Sequence, residues 1–322
     1  MLILIIQIVK ERRFCGLTTA ESLKRELIYK LSIGDATHSQ LVKSLPRDLS
    51  KFDKLQDVLD TVAAYSNPSG FNQGMYSLRW PFWKELDLYH PRWNSKDLQV
   101  AEERYLRFCS VSALTTQLPK WSSIYPPLKG IARIGTCKVV LEIIRAVLFY
   151  AVVTFKSAES RAPDSVLLPA LHLLSLSLDI CSQQKENSDN AFNNMAQIPV
   201  VEFSGEIIVE SSSYGVGEQS LLSLLVLLME MNKKENDDSS VDVGGLSSLV
   251  ESLLKKFAEL DDSCMIKLQK LAPGLVNHIP ECVPTGDPSV SLSASDSEKR
   301  KAKARERQAA IMVGCCVLYF SH

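Results

Sequence analysis

The 322-residue sequence has no CxxC pair, no GxGxxG, no P-loop, no GxSxG and no HExxH. Those patterns mark structural zinc, nucleotide phosphates, hydrolase nucleophiles and zinc proteases, so none of these chemistries is signalled. It also lacks net charge, since 36 basic against 37 acidic side chains leave −1. A chain that works as a whole as a polycation on nucleic acid, or as an acidic tail, is excluded. Glycine and proline, 14 of each, are too few for a collagen-like or low-complexity chain. Eight cysteines without regular spacing read, in a chain this large, as reduced cytosolic thiols. The nearest approach to a metal set, Cys264, His278 and Cys282, crosses a Pro-rich stretch and has no fourth ligand. His38 belongs to a helix-capping sequence, and His90 before Pro91 reads as a turn residue. No internal constellation for acid–base or nucleophilic catalysis emerges, and no cofactor or metal is expected in the chain itself.

Long uncharged hydrophobic runs are missing too. Met1–Val9 is apolar except for Gln7 but falls short of the ~20 residues of a membrane span. Lys10, Arg12 and Arg13 follow it, the reverse of a secretory signal, so residues 1–17 read as a fragment of a buried helix. The most membrane-like segment, Thr136–Phe155, carries Lys138, Glu142 and Arg145 four and three residues apart, in one narrow stripe. A Lys or Arg at a bilayer centre costs roughly 2.5–3.5 kcal/mol, whereas a core helix keeps such a stripe wet. A membrane is not an expected partner.

What is present is helical periodicity. Thr18 or Thr19 caps a helix to Leu31 ahead of Glu21, with Leu23, Leu27, Ile28 and Leu31 on one face. Gly34-Asp35 breaks it, Thr37 opens a short helix to Leu45, and Pro46 ends that one. A third runs from Phe52 to Tyr65. Gly74–Leu78 and Leu86–Tyr89 then form a hairpin around Trp80–Lys84. Three helices followed by a hairpin is the winged-helix order, placed at residues 18–94. The third helix sets Lys51 and Lys54 against Asp53, Asp57 and Asp60, so it offers a phosphate backbone too few cations, and nucleic acid is not an expected partner.

A helical scaffold is expected over 95–182, with a charged helix at Ser95–Phe108 and apolar ones at Thr136–Phe155 and Val166–Ser182. Pro169 is tolerable there only in a first turn. His172, Ser175 and Asp179 mark the polar edge. Residues 183–218 read as a mobile loop with short strands at Val200–Phe203 and Ile207–Glu210. The scaffold resumes over 219–272, where Gln219–Met231 is apolar almost all round, Lys233–Ser240 is a polar linker, and Leu246, Leu249, Val250, Leu253, Leu254 and Phe257 share one face. Residues 273–296 are a linker. A helix over 297–312 holds six basic and two acidic residues with alanines between them. Without an apolar stripe it should project from the body. The tail 313–322 changes character abruptly, and both ends read as lying inside a longer fold. The fold class is therefore mainly α: a winged helix, an α-helical scaffold with a few short strands, and a projecting basic helix.

Gly34-Asp-Ala-Thr-His-Ser-Gln-Leu-Val-Lys-Ser-Leu-Pro46, Gly74-Met-Tyr-Ser-Leu78 and Glu85-Leu-Asp-Leu-Tyr-His-Pro91 resemble the winged-helix region of the UBR-family N-recognins. These are large RING-type E3 ubiquitin ligases of the N-degron pathway. Arg161–Leu168, Ala170–Cys181 and Lys301–Ala310 resemble its plant branch, which recognises basic N-termini. The resemblance implies transfer of ubiquitin from an E2 to proteins bearing N-degrons, destined for proteasomal degradation, in the cytoplasm and also the nucleus. It implies zinc in a UBR box and a RING, both outside this chain, so that the chain alone is inactive. It also implies an E2 as partner and N-degron substrates held by those other modules. By position, Lys299, Arg300, Lys301, Lys303, Arg305 and Arg307 are the candidate E2-binding residues. The other reading, from the residues themselves, is a stand-alone winged-helix adaptor without transfer activity.

Overall fold

A computed structural model describes residues 1–13, 16–68, 73–108, 117–119, 121–122, 124–157, 164–188, 199–207, 219–238 and 245–276. All lie within one unit, Met1–Ile279, whose apolar side chains gather into two cores.

The smaller core belongs to the winged helix. Its first helix, α2 (Thr19–Ile33), follows α1 (Leu2–Lys10) in the chain. Thr18 caps α2 by accepting the Glu21 N–H, while the Glu21 carboxylate accepts the Thr18 N–H, a reciprocal box that satisfies two otherwise orphaned donors. Thr37 and Gln40 repeat the device at α3 (His38–Ser44). Pro46 ends α3, yet it also starts α4 (Arg47–Ser50), a turn absent from the sequence reading and natural for a residue whose N–H is not needed there. The third main helix, α5, is shorter than expected, Leu55–Val62. At Ala63 the backbone turns extended, and Ala63–Ser66 becomes β1, antiparallel to β2 (Met75–Leu78) with Ala63 opposite Leu78 and Ser66 opposite Met75. Ala36 adds a single bridge to Tyr76.

The hairpin is thus corrected. Its arms are β1 and β2, and Leu86–Tyr89 is not a strand; Trp80–Glu85 is a 3-10 turn instead. The reason is register: β2 alternates, burying Tyr76 and Leu78 beside Leu23, Leu27 and Leu59, and the residue that can meet Leu78 from the same side is Ala63. Trp83, wholly buried, plugs this core together with Tyr105 of α6 (Ser95–Phe108).

The larger core is built mainly from helices: α7 (Arg133–Thr136), α8 (Lys138–Ser157), α9 (Asp164–Ser188), α10 (Pro199–Ser204), α11 (Leu221–Asp238), α12 (Gly245–Leu260) and α13 (Asp262–Leu271), followed by α14 (Pro273–Val276). Helix α1 joins it, burying Ile6 and Val9 while Met1, Ile3, Leu4 and Ile8 stay exposed. Among the described residues, one helix is long and apolar enough to cross a membrane, Ser165–Lys185, not Thr136–Phe155, whose three charged residues count against it. That window is 72% buried against its neighbours.

Four further expectations are corrected. Pro169 lies inside α9, past its first turn; the N–H it lacks would have bonded Ser165, at the exposed start of the helix. Helix α9 runs on through residues 183–188, within the expected loop. Pro199–Ser204 is helical where a strand was expected: Val200 and Phe203, three apart, both enter the core, a spacing that suits a helix turn and not an alternating strand. Helix α11 likewise continues to Asp238, through much of the expected linker. Residues 208–210, 189–198, 277–296, 297–312 and 313–322 lie outside the described residues.

Candidate functional site

Lys299, Arg300, Lys301, Lys303, Arg305 and Arg307 all lie outside the described residues, as do His278 and Cys282. Cys264 is buried, its Sγ 3.6 Å from Ser204 Oγ, and burial pushes its thiol pKa up, which disfavours the thiolate a metal would need. Among the described residues, no group of three or more His, Cys, Asp or Glu could hold a metal ion. His38 is exposed at the start of α3. The other two histidines in view are buried at the meeting of the two cores, and there the structure concentrates its ionic chemistry.

The centre of that junction is Asp87, between the buried Leu86 and the half-buried Leu88. Its Oδ1 takes Lys10 of α1 at 2.7 Å and its Oδ2 takes Arg25 of α2 at 2.9 Å. The Tyr89 N–H donates to the same carboxylate, and Trp93 Nε1 donates to the Asp87 carbonyl. Burial raises the carboxyl pKa, but Lys10 and Arg25 outweigh it and hold the group at about 2. One carboxylate therefore ties the first helix of the scaffold core to the first helix of the winged helix. Tyr89 then enters the scaffold core, its hydroxyl 2.6 Å from His172 Nδ1 on α9, and burial pushes the phenol pKa up.

A second cluster begins at the next residue of α2, Glu26. His90 does sit at a turn, its N–H donating to the Asp87 carbonyl and its carbonyl accepting the Trp93 N–H, but it is buried, its Nε2 3.4 Å from Glu26, its ring stacked on Tyr29 at 4.3 Å. Arg92 reaches the same carboxylate at 3.3 Å. Burial raises the Glu26 pKa, yet His90 and Arg92 bring it below the usual value.

The polar edge expected on α9 is present and has partners. Lys256 of α12 donates to Ser175 Oγ at 2.8 Å and to Asp179 Oδ1 at 2.5 Å, and Asp179 also accepts the Trp121 N–H. Arg12 lies 4.3 Å over the Trp121 ring and donates to the Val9 and Ser122 carbonyls, locking the end of α1 to the stretch before α7. Arg12, Asp87 and Trp121 were not singled out from sequence. The available signal at Asp87 was an acid flanked by two leucines, which fits a strand facing solvent as readily as a buried ion pair.

In the winged helix, α5 and the turn before it expose Lys51, Asp53, Lys54, Asp57 and Asp60, as its sequence foretold. Gln56 donates to Asp60. This face is mixed and slightly acidic where groove-reading helices are basic.

Compared with known proteins, residues 22–119 match the model for the E3 ubiquitin-protein ligase UBR1-like winged-helix domain. The chain is 56% identical, over 97% of its own length, to E3 ubiquitin-protein ligase PRT6 of Arabidopsis thaliana, and covers 15% of that protein. It is 33% identical over 61% of its length to UBR2 of Mus musculus and 30% identical over 53% to UBR1 of Drosophila melanogaster, covering 11% and 10% of them. The chain thus spans a small part of the relatives it matches.

Proposed function

Since the chain belongs to the UBR family of E3 ubiquitin-protein ligases, we propose that it is the scaffold segment of an enzyme that ubiquitinates proteins bearing N-degrons with basic first residues. The observation that carries this is the 56% identity over 97% of the chain with a plant E3, reaching through winged helix and helical scaffold alike. In this reading the chain performs no bond-making step. A RING elsewhere in the protein, holding zinc, positions the ubiquitin-charged E2, and a zinc-bound UBR box holds the substrate's first residue. The chain fixes the spacing between modules.

The locked junction supports that role, because a spacer transmits geometry only if its halves do not hinge. Asp87, Glu26 and Tyr89 each join elements from different parts of the chain through part-buried or buried polar contacts. The basic run Lys299–Arg307 is proposed to meet an acidic face of the E2, since its six cations come with no apolar stripe to bury. The place of action is the cytoplasm, with the nucleus in addition.

Loss of the encoding gene should lengthen the half-life of a reporter protein starting with Arg and leave a Met-starting one unchanged. Equal half-lives for the Arg reporter with and without the gene would overturn the proposal. In reconstitution with E1, E2, ubiquitin and an Arg-starting substrate, the isolated 322-residue chain should form no ubiquitin conjugates; conjugates would show that transfer needs nothing beyond it.

A further inference from the structure

The winged helix carries a groove between α2 and α3 that none of the preceding roles uses. It is a cavity of about 480 Å³ lined by Lys30 and Ile33 of α2, the Gly34–Ala36 connection, and Gln40, Lys43 and Ser44 of α3. Its charge is one-sided. Lys30 and Lys43 face it from two helices and form no ion pair among the described residues. The acid in its wall, Asp35, is taken up by Arg104 at 2.7 Å. Arg92 donates to the carbonyl of Ser44, one of the groove's lining residues. The Gln40 amide oxygen is used by the Thr37 N–H, which leaves its nitrogen as a further donor. Ile33 and the buried Ala36 supply an apolar floor.

We propose that this groove binds an acidic peptide in extended form, Lys30 and Lys43 taking its carboxylates and Ile33 an apolar side chain between them. The dimensions suit a few residues of a chain. They do not suit a duplex: two lysines are far short of the roughly 6–10 phosphate contacts that hold a protein on DNA. The inference goes beyond the ligase reading and does not depend on it.

The test is fluorescence anisotropy of a labelled Asp-Glu-Leu-Asp-Glu-Leu peptide titrated with the 322-residue chain. Saturable binding that weakens as salt is raised is expected. The double substitution Lys30→Glu, Lys43→Glu should raise Kd about tenfold or more, as expected when two exposed ion pairs become repulsions. Lys51→Glu with Lys54→Glu, in the turn before α5, should leave Kd unchanged. Should the charge reversal disturb folding by circular dichroism, Lys30→Gln with Lys43→Gln replaces it, with a smaller rise in the same direction. An unchanged Kd in the groove variants, no saturable binding, or tighter binding of a duplex DNA of equal charge each overturns the proposal.

Discussion

Replacing Asp87 with asparagine removes the carboxylate that holds Lys10 and Arg25 while leaving side-chain volume almost unchanged. In the folded chain the group sits at about 2 against an ordinary 3.8, because two cations reach it at 2.7 and 2.9 Å in a site where its side chain is 14% exposed. At about 1.4 kcal/mol per pH unit that gap is worth roughly 2.5 kcal/mol at neutral pH. Breaking a buried ion pair on one side costs more, about 3–5 kcal/mol, because the partner is stranded. Lys10 and Arg25 retain some solvent, at 16% and 19% exposure, so the lower part of this combined range, about 2–3 kcal/mol, is expected for Asp87→Asn. The pH dependence follows from the sign. The folded pKa is depressed, so the contribution is complete above the unfolded value near 3.8 and fades as pH falls through 2. Urea unfolding followed by circular dichroism and tryptophan fluorescence, for both proteins from pH 7 down to pH 2.5, reads this directly. The stability gap should be full at pH 7 and narrow below about pH 4. Variants of equal stability at pH 7, or a gap that stays constant over the whole range, would refute the assignment of Asp87 as the ionic tie.

Other substitutions probe separate parts of the fold. Thr18→Ala deletes the oxygen that accepts the Glu21 N–H and should cost about 1 kcal/mol, visible as a lower Tm of the winged helix. Leu171→Ala, at a position with no exposure, should cost about 2–5 kcal/mol, whereas Val139→Ala, 64% exposed on α8, should stay within about 0.5 kcal/mol by the same denaturant titration. Ile3→Lys with Leu4→Lys, on the exposed face of α1, should raise solubility in sedimentation assays and change stability by less than about 0.5 kcal/mol, since neither side chain enters the core.

The helices of this protein were legible where a face repeats: Leu246 to Phe257 in α12 and Leu23 to Leu31 in α2 are buried as their spacing demanded. Legibility failed where the same short apolar run fits two periods. Val200 and Phe203 satisfied a strand reading because one is β-branched and the other aromatic, but contact with α8 and α9 chose the helix. Leu86, Leu88 and Tyr89 resembled a strand arm, yet Asp87 between them is directed to two cations from helices 62 and 77 residues away. No local pattern encodes such a long-range ionic partner. His90 is the same case, a residue whose burial depends on Glu26 and Tyr29 coming from another element.

The placement of α1 alters how the winged helix should be understood. In sequence it precedes the winged helix, but its buried residues, Ile6 and Val9, belong to the scaffold core, where α1 packs on α7, on α9 and on the 126–132 turn. The winged helix is therefore inserted between two pieces of one helical core and not appended to its end. A domain appended at one end can swing about a single connection. One entered from α1 and tied back through Asp87 and Tyr89 is held at several points, so its orientation is fixed by the same packing that stabilises the bundle. Coupling of this kind makes the two cores report on each other. A cavity deep in the bundle, such as that left by Leu171→Ala, should lower the unfolding temperature sensed at Trp83, inside the smaller core, although no atom near Trp83 has changed. If Trp83 fluorescence kept its wild-type transition while the helical signal melted earlier, the two cores would be independent and the winged helix a tethered module after all.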